Sequence, residues 1–118
     1  MSVYTELRPW GKFIRFDDSN KNKLYPCCVK LLVINAGASL SLQYHIKRAE
    51  FWYILEGNVD IHVGYRHYYN VGEGKFFKIP MRVPHRIKAI TDSKILETAY
   101  GEYNEKDIKR LADEYGRN

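Results

Sequence analysis

Short apolar stretches recur roughly every eight to twelve residues along this chain, separated by Gly, Asn, Asp or Pro. That spacing is the signature of a β-sandwich or barrel. It predicts strands near Gly11–Phe16, Cys27–Asn35, Leu40–His45, Glu50–Glu56, Val59–Val63, Arg66–Asn70, Lys75–Ile79, His85–Ala89 and Lys94–Ala99. Gly57-Asn58 and Gly64-Tyr65 stand where tight hairpin turns belong. Gly72, Gly74 and Pro80 break the later strands. Only the C-terminus reads as helical. Asn104 is a fit N-cap, Ile108, Leu111, Ala112 and Tyr115 follow the spacing of one buried helical face, and Gly116 supplies a stop. The expected fold is therefore all-β, with one C-terminal helix packed outside the barrel.

A chain of 118 residues forms one core, burying roughly two-thirds of its unfolded surface, so residues 1–118 are read as a single domain. Ten Tyr with many Val and Ile favour strands. The opening MSVYTELRPWG has no apolar leader, and no stretch nears the roughly 18 apolar residues that span a bilayer. A cytoplasmic protein without a membrane partner is expected. Cys27 and Cys28 are adjacent and point to opposite faces of a strand, which suits neither a mutual disulfide nor a zinc knuckle. The net charge of +5 is scattered through the strands rather than gathered into a stripe, so no nucleic-acid partner is expected. It suits a small phosphorylated ligand as well as a merely solvated basic surface.

The residues that carry chemistry fall in two patterns. The first is Gly37-x5-Gln43-x-His45-x4-Glu50-x6-Gly57, and the second is Gly74-x5-Pro80-x4-His85. Gln43 and His45 are two apart on a strand and share a face. Glu50 opens the following strand, and His85 opens a later one. Two hairpins thus bring an amide oxygen, two imidazoles and a carboxylate together. This donor set suits one borderline divalent ion (zinc, manganese, iron, cobalt or nickel) and leaves a position open for water or substrate. A lone strand histidine is more often packed or exposed than a ligand, and His62 and His67 are read as exposed. Gln43 could equally hydrogen-bond inside a barrel.

The first pattern resembles the first cupin motif, with Gln43 where the first His usually stands. The second resembles the second cupin motif, with Arg82 replacing a Gly and Ala89 an Asn. RPWG at 8–11, the segment 29–57, IPMRVPHRI at 79–87 and the segment 101–117 further resemble the C-terminal cupin domain of type II phosphomannose isomerases. In many members that domain follows a mannose-1-phosphate guanylyltransferase. The resemblance implies a double-stranded β-helix, or jelly-roll barrel, with metal ligands Gln43, His45, Glu50 and His85. It also implies interconversion of mannose 6-phosphate and fructose 6-phosphate, and a homodimer joined through a barrel face and the RPWG segment.

The family usually carries His where this chain has Lys47 and Phe51. Lys47 shares the parity of Gln43 and His45 and is expected to face the site as a cation, weakening isomerase chemistry. Phe51 has opposite parity to Glu50 and is expected to face away. Arg48 is the candidate catalytic cation. Lys47, Arg48, Arg82 and Arg86 are candidate contacts for a sugar phosphate or nucleotide sugar, against a reading as ordinary surface Arg and Lys. Trp10 and Trp52 are read as packing, and Arg110, Tyr115 and Arg117 as helix packing and capping. The alternatives to an isomerase are a non-catalytic cupin that binds a sugar phosphate or nucleotide sugar, and another metal-cupin enzyme such as a dioxygenase.

Overall fold

The computed structural model of the protein describes residues 3–16, 27–102, 104 and 106–116. The described residues form strands and no helix: β1 (Tyr4–Arg8), β2 (Gly11–Arg15), β3 (Cys27–Ile34), β4 (Leu42–Tyr44), β5 (Arg48–Glu56), β6 (Val59–Val63), β7 (Arg66–Val71), β8 (Phe76–Ile79), β9 (His85–Ala89), β10 (Ser93–Gly101) and β11 (Lys109–Ala112). They pair antiparallel into one sheet of order β1-β2-β3-β10-β5-β8 and another of order β11-β4-β9-β6-β7. The expected hairpin at Gly64-Tyr65 joins β6 to β7, with Val63 opposite Arg66.

Strict alternation makes these strands. In β3 every second residue (Cys28, Lys30, Leu32, Ile34) is buried, and β5 and β10 alternate likewise. A period of two turns one set of side chains inward along the whole strand. Ile34, Ile54, Ile61, Ile87 and Ile95 come from both sheets and are almost wholly buried in one cluster. Removing each from water stabilises the fold by about 1.5–3 kcal/mol. Two glycines are required by close approach. Gly57 has φ of +90°, and a Cβ there would meet Ser93 Oγ at 2.3 Å. Gly101 has φ of +112°, and a Cβ there would lie 2.5 Å from the Lys47 carbonyl oxygen, so a side chain would push β10 off the segment entering β5.

The C-terminal helix is a correction. Residues 109–112 form β11 instead, with Lys109 opposite Tyr44 and Arg110 opposite Gln43. The capping chemistry of Asn104 is real but closes a turn, its side chain accepting from the Lys106 amide at 2.9 Å. Leu111 is half exposed, so the apolar positions do not make one buried helical face. The open edge of β4 offers backbone partners that outweigh local helix preference. Arg117 lies outside the described residues. β1 is the strand the spacing missed: it pairs with β2, yet Tyr4 and Leu7 are exposed, so it lacks inward alternation.

Candidate metal centre

Gln43 lies in β4, His45 just past its end, Glu50 in β5, and His85 at the start of β9. Backbone pairing sets Gln43 opposite His85. All four side chains line one cavity of about 70 Å³. His45, Glu50 and His85 are each at most 4% exposed, and one donor atom from each lies within 4.8 Å of the others.

The imidazoles are aimed from behind. His45 Nδ1–H donates to the Asp107 carbonyl at 2.5 Å, and His85 Nδ1–H to the Val83 carbonyl at 2.9 Å. Those bonds select the tautomer that carries the lone pair on each Nε2, the arrangement found behind metal-ligating histidines. His45 Nε2 lies 3.5 Å from Glu50 Oε2, and His85 Nε2 lies 3.2 Å from Glu50 Oε1. His85 Nε2 is buried with no hydrogen bond of proper alignment to a described residue. Lone pairs from two imidazoles and a carboxylate facing one another require a cation or a proton between them, so the donor set fits a borderline divalent ion.

Charge reinforces this. Burial lowers the His45 pKa to about 4, helped by Arg48 and His85 and opposed by Glu50, so its ring is neutral at pH 7. Burial works against the Glu50 charge, but His85, His45 and Arg48 outweigh it and hold that carboxyl well below the usual range. The same Glu50 charge overcomes burial at His85 and raises its pKa. Arg48 is buried beside them. Its Nε lies 3.4 Å from Glu50 Oε2, its Nη2 3.3 Å from His45 Nε2, and its Nη1 donates to the Asn104 carbonyl at 3.2 Å.

The other predicted contacts fall elsewhere. Lys47 does not face inward: it is exposed, with Nζ 3.7 Å from Glu102 Oε2. Lys47 does not keep the parity of His45 because β4 ends at Tyr44, and the Asp107 carboxylate accepts from the Ile46 and Lys47 amides, bending the chain there. Arg86 turns away from His85, and its guanidinium donates to the Leu40 and Ala112 carbonyls, tying three strand segments together. Arg82 is exposed on a turn with φ of +66°, its amide donating to the His45 carbonyl. Phe51 faces away as expected and stacks on Phe76. His67 is exposed and His62 half-buried, their rings stacked on each other. Trp10 and Trp52 are buried, as read, but Trp52 also lies edge-on to His85.

Four charged residues of the cavity wall are not evident from the sequence: Arg8, Lys30, Glu97 and Arg110. Alternation with Leu32 and with Ile95 could have turned Lys30 and Glu97 inward. Arg8 stands in the RPWG segment, and Arg110 was hidden by the helix assignment.

The sequence model of a family described as "Mannose-6-phosphate isomerase C-terminal" matches residues 2–113. Xanthan biosynthesis protein XanB of Xanthomonas campestris pv. campestris is 34% identical over 113 residues, covering 93% of this chain and 23% of that protein. Mannose-1-phosphate guanylyltransferase of Escherichia coli is 30% identical over 119 residues, covering 98% and 24%. The chain thus spans about a quarter of the length of these curated relatives. Among solved structures, a mutant oxalate decarboxylase of Bacillus subtilis superposes with a TM-score of 0.79 at 22% identity, over 93% of this chain and 30% of that one. The capsular polysaccharide assembling protein CapF of Staphylococcus aureus gives 0.75 at 15%, over 96% and 33%. The fold is that of the cupins.

Proposed function

This chain belongs to the mannose-6-phosphate isomerase C-terminal family, and from that premise we propose that it is a metal-dependent aldose–ketose isomerase interconverting mannose 6-phosphate and fructose 6-phosphate. The observation that carries the reading is the convergence of His45 Nε2, His85 Nε2 and the Glu50 carboxylate beside a buried Arg48. A divalent ion held by His45, Glu50 and His85, with Gln43 as a fourth donor, would polarise the sugar carbonyl and stabilise the oxyanion that develops as the neighbouring carbon is deprotonated.

The chain's own residues supply the rest. The Arg48 guanidinium offers only donors and sits at the cavity wall, so it donates to a developing sugar oxyanion while orienting Glu50. Arg8 and Arg110 line the same cavity and suit the phosphate, with Arg82 at an exposed turn nearby. With Lys47 turned outward, the cation that argued against isomerisation is not beside the imidazoles, which supports the isomerase over a pure binding module. Association into a homodimer is part of the proposal. β1 is a sheet edge whose Leu7 is 81% exposed, a surface suited to a second copy. A sedimentation mass of one chain at micromolar concentration would remove the dimer.

The test is an isomerase assay on mannose 6-phosphate with zinc, manganese, iron, cobalt and nickel in turn. Turnover with at least one is expected. No turnover with any, together with a sugar phosphate that raises the melting temperature, would replace the isomerase by a sugar-phosphate-binding cupin.

A further inference from the structure

An aldose and a ketose differ by a proton moved between adjacent carbons, so the reaction needs a group that takes a proton and gives it back. That group must reach the cavity, must titrate, and must stay outside the metal's ligand set. The Arg48 guanidinium is a donor only, and Glu50 faces both imidazoles. The remaining titratable side chains on the wall are Lys30 and Glu97. The Lys30 ammonium lies 4.2 Å from the centre of the Phe13 ring and is engaged by that ring. Glu97 is left.

Its position suits the work. On β10 the inward residues run Ala99, Glu97, Ile95, with Ala99 opposite Glu50 and Glu97 opposite Trp52. Glu97 therefore lies one inward rung beyond Glu50, about 7 Å along the strand at ordinary β spacing. The Trp52 indole N–H donates to its Oε2 at 3.2 Å and fixes the carboxyl plane. A buried acid one rung from a second carboxylate is costly to keep, and an apolar residue there would extend the isoleucine core.

We propose that Glu97 is the general base that carries the proton between the two sugar carbons; this rests on the isomerase reading and names its missing catalytic residue. The carboxylate removes the proton from C2 of the open-chain aldose. The C–H electron pair becomes the C1=C2 bond, and the carbonyl π pair moves to O1, which takes up a proton to give the enediol. Loss of the O2 proton then forms the C2 carbonyl, and Glu97 returns its proton to C1, ending as a carboxylate. Atoms and charge balance with no co-reactant. Burial, and then the Glu50 charge, push its pKa up to about 7, against Lys30, Arg48 and His85, so both forms exist at neutral pH.

The experiment compares wild type, Glu97→Gln and Glu97→Asp, each loaded with the metal that supports turnover, in deuterated water. Glu97→Gln is expected to keep its metal content and its thermal protection by mannose 6-phosphate. Its isomerisation and its solvent deuterium incorporation should both fall at least about 100-fold, with partial recovery in Glu97→Asp. In metal-free protein, infrared spectra should show a buried carboxylic acid that ionises between pH 6 and 8 in wild type and is missing from Glu97→Gln. Equal turnover in wild type and Glu97→Gln, or no such band in wild type, overturns the role of Glu97 alone. A wild type inactive with every metal removes the isomerase reading, and this role with it.

Discussion

The inward-facing rows of the same strands have two chemistries. At one end of β5 the buried residues are Arg48 and Glu50, and farther along they are Trp52 and Ile54. β10 runs from Ala99 and Glu97 to Ile95, and β9 from His85 to Ile87 and Ala89. Backbone pairing and parity are the same throughout; only the side chains differ. The apolar half has lower free energy inside than in water. The charged half does not, because each ion must be compensated by a neighbour. One half holds the fold and the other uses it, and substitutions should separate the two.

The largest effect is expected in the charged half. Wild type should hold about one divalent ion per chain and the His45→Ala, His85→Ala double variant almost none, by elemental analysis. In chelator the double variant should also melt lower, since Glu50 loses the two imidazoles that offset its burial, so metal is counted per folded chain. Equal metal content would remove the site. Next comes the apolar half. Ile54→Ala should lower stability by about 2–5 kcal/mol in denaturant titration while leaving metal per folded chain unchanged. A fall in metal content there would mean that the two halves are not separable.

Glu97 offers a finer probe, read in metal-free protein. Its folded pKa is about 7, against 4.5 unperturbed. The folded state therefore holds this proton more tightly than the unfolded state does. Wild-type stability should fall, relative to Glu97→Gln, as pH rises from 4.5 through 7, and the penalty is complete above that. The gap between the variants should shift in favour of Glu97→Gln by on the order of 3 kcal/mol between pH 4 and pH 8. A pH-independent gap would mean that the charge of Glu97 is not penalised. The smallest effect belongs to Lys47, an exposed partner of Glu102. Lys47→Ala should change stability by less than about 1 kcal/mol and leave metal content alone. A large loss of metal would return Lys47 to the site.

The strands were legible wherever one face is buried. β3, β6 and β9 appear close to their predicted bounds because Leu32, Ile61 and Ile87 alternate with less buried neighbours. The candidate metal donors were legible for a related reason: Gln43, His45 and Glu50 stand at short, fixed spacings, and His85 opens the strand that pairs with Gln43. β1 and β11 were not legible, since neither turns a continuous apolar row inward.

The amino-acid order by itself determined the alternation, the Gly64-Tyr65 turn and the grouping of Gln43, His45 and Glu50, because these depend on spacings of a few residues. The amino-acid order decided neither the pairing of His85 with Gln43 nor the path at Gly57-Asn58, which leads from β5 into the other sheet instead of closing a hairpin. It did not decide Lys47, whose parity with His45 was broken by Asp107, a residue 60 positions away that takes the Lys47 amide. Nor did it decide the last strand. Local spacing in 104–116 favours a helix, but the open edge of β4 supplied backbone partners there and drew Arg110 onto the cavity wall. Backbone groups near a closing barrel must find partners, and which segment satisfies them depends on what the rest of the chain leaves exposed.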